Sequence, residues 1–243
     1  MRSIARPQSS RLLRHTAVLL SLAASTAVAK DPPPVIRRPP AASPATDPLD
    51  ARVVAYGWQL IKAFPNSSYN HKTHIDVAER VCEVDCSGFV ANVFAELSPK
   101  HVEAIRTVKK RSRPLAEDFY ATFAAASKTP IAGWRHVSLA EARPGDVIAW
   151  YKEEHEKGEN TGHVMILAEP PVLESPGKYR LHILDSTASP HASDTRPTGK
   201  TGLGAGIIWL DVDRAGEILG YHWKSAGGKL NVHPVAIGRP VSF

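Results

Sequence analysis

Val84-Asp85-Cys86-Ser87-Gly88-Phe89-Val90 places a thiol where a polar turn meets an apolar run. Phe89, Val90, Val93, Phe94 and Leu97 recur at the spacing of a helix that buries one stripe, so a helix is expected from Ser87 to Leu97. The thiolate is the reactive form of cysteine, and the positive end of a helix stabilises it. From an unperturbed pKa near 8.5, only about 3 per cent of a thiol is ionised at pH 7, so placement alone can change its reactivity greatly. Cys86 can equally be a small apolar residue opening a core helix. The surrounding chain has to decide.

Upstream, residues 66–83 are polar and hold Tyr69, His71 and His74. Before them Val53, Gly57, Leu60, Ile61 and Phe64 predict a first helix that stops ahead of Pro65, with Asp47 as its cap and Pro48 at its first position. Residues 30–46 are rich in proline and alanine, a composition that favours extended backbone and buries little, and they read as a linker. Residues 1–29 carry Arg2, Arg6, Arg11 and Arg14, then the apolar run 16–24 and Ala27-Val28-Ala29. That is the pattern of a cleaved secretory signal, and it implies a periplasmic or secreted protein without a transmembrane anchor.

Downstream, a helix is expected from Leu115 to Ala126. Short apolar segments punctuated by glycine and proline then predict strands over residues 146–151, 163–168, 179–185, 207–211, 218–223 and 235–241. Residues 198–206 read as a flexible glycine-rich turn. Helices first and strands after them give an α+β domain over residues 47–243 with an antiparallel sheet.

The 243 residues are 43% apolar and 22% charged, an ordinary globular composition. The formal charge of +6 falls to about +2 once the four arginines of the leader are gone, so no nucleic-acid partner is implied. Lys109-Lys110-Arg111-Ser112-Arg113 reads as a solvated basic surface. Two cysteines make no disulfide framework for a chain this long, although Cys82 and Cys86 could pair as a redox lock. A metal reading of His71, His74, Cys82 and Cys86 has no familiar ligand spacing and would consume the thiol. No metal and no cofactor are expected.

Three later segments supply what a thiol nucleophile needs. Arg143-Pro144-Gly145-Asp146 is a tight turn feeding an apolar strand, and Gly162-His163-Val164 puts an imidazole at a strand start. Leu181-His182-Ile183-Leu184-Asp185-Ser186 offers polar groups able to fix that imidazole's tautomer. In this order, with Asp85-Cys86-Ser87-Gly88-Phe89-Val90 at their head, these segments resemble the NlpC-type cysteine peptidases of bacterial cell walls, whose fold is a circularly permuted, minimal papain.

The resemblance implies that Cys86 attacks an amide carbonyl and that His163 accepts and returns the proton. Asp185, with His182 as rival, would orient His163, and Tyr69 would contact the substrate. It further implies a thioester intermediate and, as substrate, a peptidoglycan stem peptide. The sequence departs from the family pattern after Tyr69, where Asn70-His71 replaces a glycine pair, and at Met165, where glycine is common. A non-catalytic module that keeps this fold and binds a wall peptide or a protein partner is the alternative.

Overall fold

A computed structural model describes residues 48–155 and 160–243. The expected signal and the linker before residue 47 lie outside them. Helix α1 (Leu49–Ala63) opens with Pro48 as its N-cap rather than as its first helical residue, and the carbonyl of Pro48 accepts from the Arg52 amide at 3.2 Å. The helix ends at Ala63 as Pro65 requires, and buries Val53, Tyr56, Gly57 and Leu60. A two-stranded ribbon follows, β1 (His74–Asp76) against β2 (Val81–Glu83). Helix α2 (Cys86–Leu97) then starts at the thiol, with the Asp85 side chain accepting the Gly88 amide at 2.7 Å. This cap fixes the first turn of α2 and occupies one of the donors a helix start leaves unpaired.

Helix α3 (Pro99–Lys109), which its weak apolar pattern did not announce, begins with proline at its first position. Helix α4 (Ala116–Ala125) buries Phe119 and Phe123. The remaining chain is β3 (Trp134–His136), a 3₁₀ turn (Leu139–Glu141), β4 (Val147–Tyr151), β5 (Gly162–Leu167), β6 (Val172–Ser175), β7 (Lys178–Thr187), β8 (Gly202–Val212), β9 (Ile218–His222), β10 (Leu230–Asn231) and β11 (Val235–Pro240). Nine of these strands form one antiparallel sheet in the order β10-β9-β8-β7-β5-β4-β11-β3, with β6 added to β7. The fold is thus α+β, with helices first and a large antiparallel sheet after them.

The central strands are buried on both faces, which is why they read as unbroken apolar runs. Val147, Ala149, Val164, Ile166 and Leu184 pack against α1, α2 and α4. Ile148, Trp150, Met165, Leu167 and Ile183 fill a second cluster with Ile208, Leu210 and Tyr221. Met165 is therefore a core residue. The turn before β4 is held by Asp146, fully buried, which accepts from Arg239 Nε at 2.8 Å and Nη2 at 2.7 Å. That aspartate serves the scaffold.

Two expectations are corrected here. Residues 202–206 are not a flexible turn but the first half of β8, which runs alongside β7 from Thr187 opposite Gly202 to Lys178 opposite Asp211. The basic run at residues 109–113 is not a plain solvated surface either, because the Arg113 guanidinium turns inward to Asp85 at 2.5 Å.

Candidate functional site

Strand β5 starts at Gly162, whose φ is +146 and where a Cβ would sit 2.0 Å from the Trp150 carbonyl oxygen. Only glycine permits that approach, and it brings His163 into register opposite Trp150. The His163 ring is buried, and its Nε2–H donates to Asp185 Oδ2 at 2.6 Å. Asp185 lies on the neighbouring β7, fully buried, and the same Oδ2 accepts from His191 Nε2 at 2.8 Å. Its other oxygen accepts from Arg196 Nη2 at 2.5 Å. The carboxylate is thus engaged on both oxygens, which offsets the cost of burying a charge.

Room for this arrangement comes from β8. Gly204 stands opposite Asp185 in the ladder, and a Cβ there would meet Arg196 Cγ at 2.7 Å. At Gly206 it would meet His191 Cβ at 2.6 Å. Gly204 and Gly206 therefore clear the strand for two side chains from the β7–β8 connection, while Gly202 admits the backbone of Ser67 and Ser68. Arg196 is locked by further bonds to Gly202 O at 2.7 Å, Asp194 Oδ2 at 2.7 Å and Asp185 O at 2.8 Å. His191 lies against Trp223, ring centroids 3.9 Å apart, and Trp223 Nε1 donates to Ser189 O at 2.9 Å.

The electrostatics follow from these partners. Burial would raise the Asp185 carboxyl, but His191, the hydrogen bond from His163 and the Arg196 charge hold it well below the usual carboxylate range. Burial alone would depress His163, yet the neighbouring Cys86 and the Asp185 carboxylate outweigh it and push the ring up to about 9. Tyr69 is raised, by burial first and then by Cys86, Asp85 and Asp185.

Cys86 is 3% exposed at the first position of α2, near enough to Tyr69 and His163 to raise the pKa of both. The loop carrying Tyr69 is pinned to the start of β8: the Tyr69 amide donates to Thr201 Oγ1 at 3.1 Å and the Leu203 amide to Ser67 Oγ at 3.0 Å. Ser186 Oγ donates to Val84 O at 2.7 Å and ties β7 to the turn before Cys86. His182, the rival orienter, instead faces Glu169 at 3.0 Å and the edge of Trp58. Cys82 sits in the apolar core, where burial, reinforced by Glu83, pushes its thiol up to about 12. Both cysteines are free.

The cysteine-hydrolase reading of the sequence, and with it the thiol-protease activity, is corrected by the cluster the fold assembles. Among the described residues, the group whose ligand atoms all lie within 4.8 Å of one another is His163, Asp185 and His191, with no cysteine in it. Asp185 is shared by two imidazoles and a guanidinium, instead of orienting one general base for a thiol. Two imidazoles and a carboxylate are also a donor set that suits a divalent transition metal. Here both ring N–H groups already point at one oxygen, and Arg196 supplies the positive charge that a cation would bring. His71, His74, Cys82 and Cys86 form no ligand set, since His71 faces Asp85 at 3.4 Å and His74 faces Glu83 at 3.7 Å.

On the α2 side a second polar cluster surrounds Asp85, which accepts from Gly88 N, from Ser87 Oγ at 2.9 Å and from Arg113 Nη1 at 2.5 Å. Arg113 also donates to Ser87 Oγ at 3.0 Å. Burial would raise Asp85, but Arg113 and the cap bond hold it below its ordinary value. A cavity of about 430 Å³ opens over this cluster, lined by Cys86, Arg111, Arg113 and Ala116, among others. A second, of about 410 Å³, is lined by His163, Trp150, Tyr221 and Trp223. Tyr69, His71 and Asn160 border both, so the two cavities meet as one groove. His191, Arg196 and Arg113 are the participants that sequence reasoning missed, and the glycine alternation in β8 was the signal for the first two.

No protein-family model matches the chain. No solved structure matches it. It is 34% identical over 182 residues to "Uncharacterized protein R653" of Acanthamoeba polyphaga mimivirus, a match that spans 64% of this chain and 76% of the viral protein. With identity at that level over most of the viral protein, the chain belongs to the same family as that mimivirus protein.

Proposed function

We propose that this chain is an exported binding module that holds a peptide-like ligand, most simply a peptidoglycan stem peptide, in the groove between the start of α2 and the ends of β5 and β7. The observation that carries the reading is the joining of the two cavities beside Tyr69 and His71. Together they offer an extended slot with aromatic side chains at one end and guanidinium groups at the other, a concave surface with few, placed polar groups. The buried His163–Asp185–His191–Arg196 network acts as its rigid wall, because every charged member is paired. Cys86 closes the floor beside Tyr69.

The proposal includes the NlpC-like, permuted papain arrangement, for which the order of the segments speaks: the helix bearing Cys86 precedes the strands bearing His163 and Asp185. Export through residues 1–29 would put the groove in contact with wall peptides. Co-sedimentation with purified sacculi tests the reading. The wild type is expected to pellet with them, and Tyr69→Ala and Trp223→Leu to bind about tenfold more weakly, which corresponds to about 1.4 kcal/mol each. Undiminished sedimentation of both variants would contradict it.

A further inference from the structure

Resting on the peptide-binding reading, we propose that the aromatic end of the groove is a subsite for an N-acetylated sugar ring joined to the peptide. Trp150 and Tyr221 line the cavity of about 410 Å³ there, stacked with ring centroids 3.9 Å apart, and are only 2% and 6% exposed. Among the described residues neither the Trp150 indole N–H nor the Tyr221 hydroxyl has a hydrogen-bond partner, and neither atom is sealed from solvent. A donor buried without a partner is costly, which is why such groups are normally satisfied. Two of them beside one cavity call for an acceptor that enters it.

The rest of the lining fits the same ligand. Among the described residues no carboxylate borders this cavity, so an ammonium group would find no partner in it. An acetamido group brings a carbonyl oxygen for the two donors, a methyl for the aromatic walls, and an N–H. Asn231, whose Nδ2 donates to the Tyr221 carbonyl at 3.3 Å, keeps its Oδ1 for that N–H. Trp223 is half-buried and fixed by its bond to Ser189 O, so it offers a rigid ring on which the C–H face of a pyranose can lie. Of the cationic side chains in the lining, His163 is engaged by Asp185, and Lys152 supplies donors for hydroxyl oxygens.

The test titrates the full chain by calorimetry with three ligands: a muramyl tripeptide, its N-deacetylated form, and the same tripeptide carrying only a lactyl group in place of the sugar. The wild type is expected to bind the N-acetylated ligand roughly tenfold more tightly than the sugar-free peptide. The deacetylated ligand, whose amine is protonated, is expected to bind no more tightly than the peptide. Tyr221→Phe removes one donor and keeps the ring, and Asn231→Ala removes the acceptor; each is expected to cut the preference to about threefold. Equal or weaker binding of the N-acetylated ligand by the wild type would overturn the sugar subsite and leave the groove reading standing, as would a full preference kept by both variants. Binding of none of the three at millimolar concentration would remove both. The wild-type comparison decides even if a variant fails to fold.

Discussion

Asp185 and Asp85 are built from the same parts and put to different uses. Each buried carboxylate meets an arginine and an imidazole: Arg196 with His163 and His191 in one case, Arg113 with His71 in the other. The Asp185 set is sealed, its carboxylate, its arginine and both rings all buried. The Asp85 set is open, with the arginine 30% and the His71 side chain 59% exposed. The sealed cluster has its charges compensated and meets the groove through His163, so it contributes chiefly shape and rigidity. The open one keeps spare donors at the groove wall, and these are what a ligand can exchange for water.

The contrast breaks first at Asp185. Asp185→Asn leaves Arg196 with Asp194 as counter-charge but removes the carboxylate that Arg196, His163 and His191 share, and breaking a buried charge pair costs about 3–5 kcal/mol. Denaturant titration is expected to show that loss. A change below about 1 kcal/mol would mean that the cluster does not hold the β7–β8 connection onto the sheet.

The next effect tests how the cluster is housed. Gly204→Ala puts a methyl group 2.7 Å from Arg196 Cγ, and the four bonds holding Arg196 prevent it from yielding. Overpacking of this kind costs about 1–3 kcal/mol. Gly216→Ala, where no neighbour lies within 4 Å, is the comparison. Its φ of +88 carries a backbone strain of about 1 kcal/mol, so Gly204→Ala is expected to be the more damaging.

The third prediction is a pH dependence. His163 is raised to about 9 from an ordinary 6.5, so the folded state holds its proton more tightly than the unfolded chain does. The stability this confers is complete below about pH 6.5 and is lost as pH rises through about 9, a decline on the order of 3 kcal/mol. Asp185 has the opposite sign: its pKa is depressed, and its contribution is present above about pH 4 and is lost as pH falls through its folded value. Denaturation midpoints from pH 5 to 10 are expected to fall at the alkaline end, and His163→Gln to flatten that fall.

The smallest effect belongs to the open cluster. Arg113→Gln leaves Asp85 with the Gly88 amide and the Ser87 hydroxyl, and solvent screens the missing charge, so stability is expected to drop by only about 1 kcal/mol. A loss as large as that of Asp185→Asn would erase the distinction between the two clusters.

The elements were largely legible in the sequence because burial on both faces leaves unbroken apolar runs, as in β4 and β5, and burial on one face leaves helical spacing, as in α1 and α2. Helix α3 was not, since its surface is mostly polar and proline alone marks its start. The start of β8 was misread because Gly202, Gly204 and Gly206 look like chain flexibility until the Ser67–Ser68 backbone over the first and the Arg196 and His191 side chains over the other two are seen. His163 and Asp185 were named together, and they meet at 2.6 Å. That Asp185 also binds His191 and Arg196 depends on the path of the connection between β7 and β8, which no local pattern encodes. The thiol reading went astray for the same reason, because the carboxylate's additional partners lie in a segment that reads as loop.

The account turns on the groove holding its ligand intact. Stoichiometric protein incubated with a purified stem-peptide muropeptide, followed by mass spectrometry of both ligand and protein, tests this directly. The account predicts an unchanged ligand mass, an unmodified protein and binding that survives iodoacetamide treatment. Release of peptide fragments, or an acyl adduct on Cys86 that iodoacetamide abolishes, would contradict it.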